Sequence, residues 1–222
     1  MDSVKELFVE LLGTFILVFA ITATIAGSLA VTGSFEGINL VAIALAAGFV
    51  LTALIYSLSS FSGAHFNPAV TIGFWVAKRF STEKALGYIL AQLVGGILAS
   101  GLIWLMTKGL QTGATTAGAF GLSGALVFET VATGLFVWVI LSATNPKAST
   151  GHAGIAIGSF LAVMHLAGIA FSGASLNPAR SIGPAFLTGG VAFSQLWIYL
   201  VGPVLGAVVA GLAFRFLMNG PE

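Results

Sequence analysis

Ser-Gly-Ala-His-Phe-Asn-Pro-Ala-Val, residues 62–70, returns as Ser-Gly-Ala-Ser-Leu-Asn-Pro-Ala-Arg, residues 172–180. The two triplets, Asn67-Pro68-Ala69 and Asn177-Pro178-Ala179, lie 110 residues apart. One copy alone says little. Asn-Pro opens turns, and proline suits the first turn of a helix because the N–H it lacks has no partner there. Either copy by itself reads as a loop and a helix start, with the asparagine as cap. Two copies in one local context, in so apolar a chain, form a repeat around which the rest is organised.

The chain has 222 residues, 58% of them hydrophobic and only 7% charged. A soluble domain carries about 25% charged residues, so this composition cannot dress a water-facing surface. It describes an integral membrane protein built of helices, because its apolar segments are too long for barrel strands. A net charge of +1 gives no reason to expect nucleic acid. With no cysteine there is neither a disulfide nor a thiolate metal site. His65, His152 and His165 lack metal-ligand spacing. The first apolar run, from Leu7 past Ile25, is too long for the core of a signal peptide. No Ser/His/Asp grouping or phosphate-cradling glycine loop suggests an enzyme.

A helix of ~20 apolar residues crosses a bilayer. Six such spans fit, at 7–29, 39–60, 84–107, 122–143, 153–172 and 194–217. Two apolar segments remain, 67–77 and 177–187. At 1.5 Å per residue each is ~15 Å long, half the hydrocarbon thickness. Half-helices that enter and leave on one side fit best, since irregular backbone at membrane depth needs protein or a wet cavity around it. The expected fold is all-α, with six transmembrane helices and two re-entrant half-helices.

Lys5, Lys78, Arg79, Lys84, Lys147 and Arg215 then share one side, and Lys108 lies opposite with Glu36. The positive-inside rule makes the first side cytoplasmic and places both termini there. Glu10 and Thr14 of the first span have counterparts in Glu129 and Thr133 of the fourth. Ala91–Gly96 aligns with Val201–Gly206 at the same 110-residue offset. Three spans per half, an odd number, invert the second half relative to the first. The chain thus reads as one domain, 1–222, with repeat A at 1–107 and repeat B at 122–217. Such an arrangement puts a site at the midplane between the halves. Gly48, Gly95, Gly96, Gly158, Gly202, Gly206 and Gly211 fall within spans, where small residues let helices approach closely.

Two helix N-termini meeting at the midplane bring positive potential. The Asn67 and Asn177 amides can donate inward to a water oxygen there, which breaks a proton wire. Arg180 directly follows the second triplet, where the first repeat has Val70. A charge in hydrocarbon costs at least ~2.5–3.5 kcal/mol, and a cation in a first helical turn opposes the dipole. Arg180 therefore belongs in a wet cavity rather than snorkelling to the interface.

The duplicated pattern resembles the aquaporin and aquaglyceroporin family over nearly the whole chain. The resemblance implies a passive channel for water, with ammonia, hydrogen peroxide or glycerol as further neutral solutes and protons and ions excluded. It implies a homotetramer in lipid, in a plasma or bacterial inner membrane, without cofactor. It pairs His165 with Arg180 in an outer constriction and adds Ala47 and Ala174 as the other filter positions. Water channels of the family carry Phe at the place of Ala47, so a wider filter is expected. Ser181 and Ala185 match the water branch; Leu200 leans to the glycerol branch. His65 anchors the first loop. Gly63, Ala64 and His65, with Gly173 and Ser175 opposite, lend carbonyls to a file of water, and Glu10 and Glu129 brace the loops. A proton-coupled transporter titrating Glu10 or Glu129, and a membrane junction protein, are the competing readings; the short loops argue against the second.

Overall fold

The structure, a computed structural model, describes residues 2–33, 37–149 and 151–218. Glu36 lies outside the described residues. Among those described, the protein is all-helical: α1 (Asp2–Thr32), α2 (Ile38–Ser62), α3 (Pro68–Val76), α4 (Thr82–Met106), α5 (Gly121–Ala143), α6 (Ala153–Ser172), α7 (Pro178–Thr188), α8 (Gly190–Ser194) and α9 (Leu196–Met218). Six are long and apolar enough to span a membrane, the last counted together with α8.

The spans start and stop close to where the hydropathy puts them, with two differences. Helix α1 begins at Asp2, five residues before its apolar run, and in this added stretch Glu6 pairs with Lys84 of the neighbouring α4 at 2.9 Å. The sixth span is preceded by the separate one-turn α8, broken from α9 at Gln195, whose side chain accepts from the Ala117 N–H at 2.7 Å.

The two short helices start where asparagine caps them. Asn67 and Asn177 have extended backbones, and each side-chain oxygen accepts from the N–H two residues on, Ala69 at 2.9 Å and Ala179 at 3.0 Å. Proline follows at the first helical position, where its missing N–H costs nothing.

The packing repeats across the halves. Helix α1 lies against α2 and α4, α5 lies against α6 and α9, and α2 meets α6 between them. Each half-helix rests on the third long helix of both halves: α3 on α9 and α4, α7 on α4 and α9. Two glycines allow this close approach. A Cβ on Gly96 would stand 2.3 Å from the Ala179 carbonyl oxygen, and one on Gly211 would stand 2.8 Å from that of Gly73. Bare backbone here lets both half-helices sink into the bundle.

Lys78, Arg79, Lys84 and Arg215 gather at one end. Lys84 pairs with Glu6, Arg79 donates to the carbonyls of Leu141 and Thr144, and Lys78 and Arg215 border the same pocket.

Candidate functional site

Each of the two repeated stretches leaves a long helix through a left-handed glycine, Gly63 (φ 88°) and Gly173 (φ 73°). The next residues continue in that region. Ala64 and Phe66 in the first loop, and Ala174 and Leu176 in the second, all have φ between 50° and 57°. Side-chain-bearing residues adopt this conformation only when the surroundings over-determine it.

Buried carboxylates supply that constraint. Glu10 Oε1 accepts from Ser62 Oγ at 2.7 Å and the His65 N–H at 3.0 Å, while Oε2 accepts from the Phe66 N–H at 2.7 Å and Gln92 Nε2 at 2.7 Å. Glu129 repeats the pattern. Its Oε1 takes Ser172 Oγ at 2.7 Å and the Ser175 N–H at 2.8 Å, and its Oε2 takes the Leu176 N–H at 2.8 Å. Both glutamates are fully buried. A charge in this setting persists only when hydrogen bonds surround it. Two tyrosines finish the frame: Tyr88 and Tyr199 each donate to a carbonyl, of Ser62 and Ser172, at 2.8 Å.

The asparagines lock the loops to each other. Asn67 Nδ2 donates to the Leu176 carbonyl at 2.8 Å, and Asn177 Nδ2 donates to the Phe66 carbonyl at 2.9 Å. The last carbonyl of each loop therefore accepts from the opposite asparagine. Each asparagine caps its own helix with its oxygen and clasps the other loop with its nitrogen. An amide nitrogen carries a second hydrogen, and both asparagines line the internal cavity.

That cavity holds about 20 Å³ and runs past His65, Asn67, Asn177, His165 and Arg180. Ser175 and the apolar Leu17, Ile21, Leu51, Phe136, Leu161 and Leu176 complete its lining. A space of ~10–15 Å³ accepts a water, so this cavity has room for about one.

His165 Nδ1 lies 3.0 Å from the Leu161 carbonyl. A carbonyl only accepts, so Nδ1 carries the proton, and in the neutral ring Nε2 is an acceptor. Nε2 has no protein partner. Arg180 is 2% exposed and donates from Nη1 to the Gly113 carbonyl at 2.7 Å, and its Nε also lacks a protein partner. Both side chains line the cavity, and each keeps one buried nitrogen, an acceptor in His165 and a donor in Arg180, that no protein group bonds. Ser181, next in α7, bonds to Thr115 at 2.8 Å and Ser175 at 2.6 Å.

The other two expected filter positions, Ala47 and Ala174, are wholly buried, and neither borders the 20 Å³ cavity. Ile43, one turn from Ala47 on α2, instead borders the wider cavity of about 440 Å³ that leads to Arg180. His65 is held by Thr71 at 3.1 Å and stacked on Phe74 at 4.5 Å. His152 is exposed before α6.

Several residues of the site go unnoticed in the sequence. Ser62 and Ser172 open the quoted repeat, and their recurrence was a usable signal. Tyr88 and Tyr199 sit 111 residues apart, nearly in register with it. Gln92 bonds both Glu10 and Thr71 but aligns with Gly202 in the other repeat, so symmetry hides it. Gly113, in the loop after α4, acts through its carbonyl alone and leaves no trace in composition.

A model of the major intrinsic protein family matches residues 1–214. "Aquaporin Z" of Photorhabdus laumondii is 39% identical over 96% of this chain and 97% of its own length. "Aquaporin Z" of Rhodopseudomonas palustris is 37% identical over 99% and 95%. "Glycerol uptake facilitator protein-like 6" of Lactiplantibacillus plantarum is 38% identical over 96% and 98%. Among solved structures, the aquaglyceroporin from Plasmodium falciparum superposes with a TM-score of 0.84 at 26% identity, covering 98% of this chain and 97% of that one.

Proposed function

The chain belongs to the major intrinsic protein family, and from that premise we propose how its lumen works as a passive water channel, not an enzyme. The observation that carries the mechanism is a cavity with room for about one water beside the interlocked Asn67 and Asn177. Water passes in single file. Its oxygen takes the free amide hydrogens of the two asparagines, which turns its own hydrogens toward opposite ends and interrupts a proton wire. The N-termini of α3 and α7 and the Arg180 guanidinium add positive potential against cations. The apolar lining keeps each water bonded to few groups at once, so passage stays shallow in energy.

The gathering of basic residues at one end supports a topology with both termini cytoplasmic. A plasma or bacterial inner membrane and a homotetramer with one lumen per subunit complete the proposal. Stopped-flow light scattering on proteoliposomes tests the channel: water flux rises well above that of protein-free vesicles, without dependence on a pH gradient. Cross-linking in native membrane tests the tetramer.

A second reading, passage of glycerol as well, is favoured by alanine at position 47 and by the relative named as a glycerol uptake facilitator. Glycerol flux in the same vesicles separates the two.

A further inference from the structure

We propose that Thr115, in the loop that joins the two repeats, is a positioning residue for Asn177, so that this loop takes part in the passage of water; the inference rests on the channel reading above. The first repeat shows what such a residue does. Gln92 Nε2 donates to Thr71 Oγ1 at 2.9 Å, and Thr71 Oγ1 donates to the Asn67 carbonyl at 3.2 Å. A side chain of α4 thus reaches the backbone of the lumen asparagine through the hydroxyl four residues after it. The second repeat keeps that hydroxyl, as Ser181 after Asn177. It lacks the donor from the long helix. The corresponding stretch of α9 is Gly202-Pro203, with no hydrogen-bonding side chain. A Cβ on Gly202 would stand 2.9 Å from the Glu129 Cβ, so close packing against α5 leaves no room for one.

Thr115 supplies the donor from the loop instead. Its Oγ1 bonds Ser181 Oγ at 2.8 Å, and Ser181 Oγ bonds Ser175 Oγ at 2.6 Å. Ser175 Oγ donates to the Asn177 carbonyl at 2.9 Å and accepts from the Asn177 N–H at 3.3 Å. A hydroxyl has one hydrogen, and that of Ser175 is spent on the carbonyl. The Ser181 hydrogen therefore serves Ser175, and the Thr115 hydrogen serves Ser181. The three hydroxyls point one way, a direction in which each bond strengthens the next. Both chains end on the same atom, the carbonyl between an asparagine and its proline. Holding that peptide holds the asparagine whose side chain caps α7 and clasps Phe66. Thr115, Ser175 and Ser181 are all buried, and Ser175 lines the cavity.

Anchoring of the loop does not account for Thr115. Thr112 bonds Thr188, and the Ala117 N–H donates to Gln195 at 2.7 Å. The Gly118 and Ala119 N–H groups donate to the carbonyls of Phe171 and Ala170 at 2.9 and 3.0 Å. The loop is fixed on both sides of Thr115 without it.

Nuclear magnetic resonance of the full chain in lipid nanodiscs, with isotope-labelled asparagine, tests this. Asn67→Asp and Asn177→Asp assign the two lumen amides. Thr115→Val keeps the branched shape and removes the hydroxyl. It should move the Asn177 amide signals, speed exchange of their hydrogens with water, leave the Asn67 signals in place and lower water flux severalfold. Thr115→Ser should restore all four. Ser181→Ala should match Thr115→Val, and the double variant should lose no more flux than either, since both cut one chain. Asn177 signals unmoved in Thr115→Val overturn the proposal. So do signals of both asparagines moved alike, which mark general loosening, and a Thr115→Ser variant that restores nothing, which assigns the effect to the methyl group against Gly173. Should Thr115→Val not fold, Ser181→Ala reads the same chain from within. Wild-type vesicles without water flux would overturn the channel reading, whereas the Asn177 signals decide the wiring without any flux.

Discussion

Arg180 donates from Nη1 to the carbonyl of Gly113 at 2.7 Å, tying the loop after α4 to the first turn of α7. The bond orients a guanidinium that is 2% exposed and leaves its buried Nε without a hydrogen-bond partner. A buried charge is costly unless it serves what passes beside it. Arg180→Val therefore removes positive potential from the lumen and leaves the Gly113 carbonyl unsatisfied, at about 1–3 kcal/mol. The expected result is retained water flux with a new proton leak, read with a pH-sensitive dye inside proteoliposomes. A variant as proton-tight as wild type would assign cation exclusion to the half-helix ends alone.

Ala47→Phe probes the space in front of α2. The next residue, Gly48, already lies so close to α6 that a Cβ there would meet the Gly158 carbonyl oxygen at 2.6 Å. A ring at 47 has little room among the helices and turns toward the lumen. Glycerol flux should fall by tenfold or more, a loss of about 1.4 kcal/mol or greater in barrier terms, while water flux falls much less. If instead the ring is forced into the core, overpacking costs about 1–3 kcal/mol. A lowered melting temperature with both fluxes reduced together identifies that case.

Glu10→Gln and Glu129→Gln separate bracing from proton coupling. Each carboxylate accepts at both oxygens. An amide accepts at one and turns donors toward donors at the other. Removing charge-assisted bonds of about 1.5–3 kcal/mol each should lower thermal stability and the yield of folded protein. The channel fraction that folds should still pass water without a pH gradient. A folded variant whose transport becomes insensitive to a gradient that drives wild type would replace the channel with a coupled transporter.

Gln92→Leu tests the broken symmetry between halves. Gln92 donates to Glu10 and Thr71, at 2.7 and 2.9 Å, and the other repeat has no such side chain. The substitution should cost about 1–3 kcal/mol, seen as a lower midpoint in thermal unfolding. No change would mean that Ser62 and the loop N–H groups suffice to hold Glu10.

Gly96→Ala and Gly101→Ala, five residues apart on α4, form an internal control. A methyl group at 96 would strike the Ala179 carbonyl oxygen at 2.3 Å, whereas at 101 nothing lies within 4 Å. The first should displace α7 and cut water flux severalfold. The second should leave flux unchanged and stabilise the helix by up to about 1 kcal/mol. Equal flux in both would show that α7 yields without disturbing the lumen.

The helical, membrane-spanning character of this protein was legible because it rests on composition and segment length, which are local properties. The half-helices were legible for the same reason: each is too short to cross and too apolar to be a loop, and each opens on Asn-Pro. Glu10, Glu129 and Arg180 stood out because charge inside an apolar span is expensive. What the tertiary structure alone decided is which atoms meet. That Asn67 holds Leu176 while Asn177 holds Phe66 depends on two loops 110 residues apart arriving head to head. That Gly113 orients Arg180 depends on a backbone carbonyl, which every residue owns. That Ala47 and Ala174 are wholly buried depends on how closely whole helices pack. Residue type sets what a group can do and what its burial costs. Only the folded chain supplies the partner, because hydrogen bonds and close packing act over a few ångströms between groups far apart in sequence.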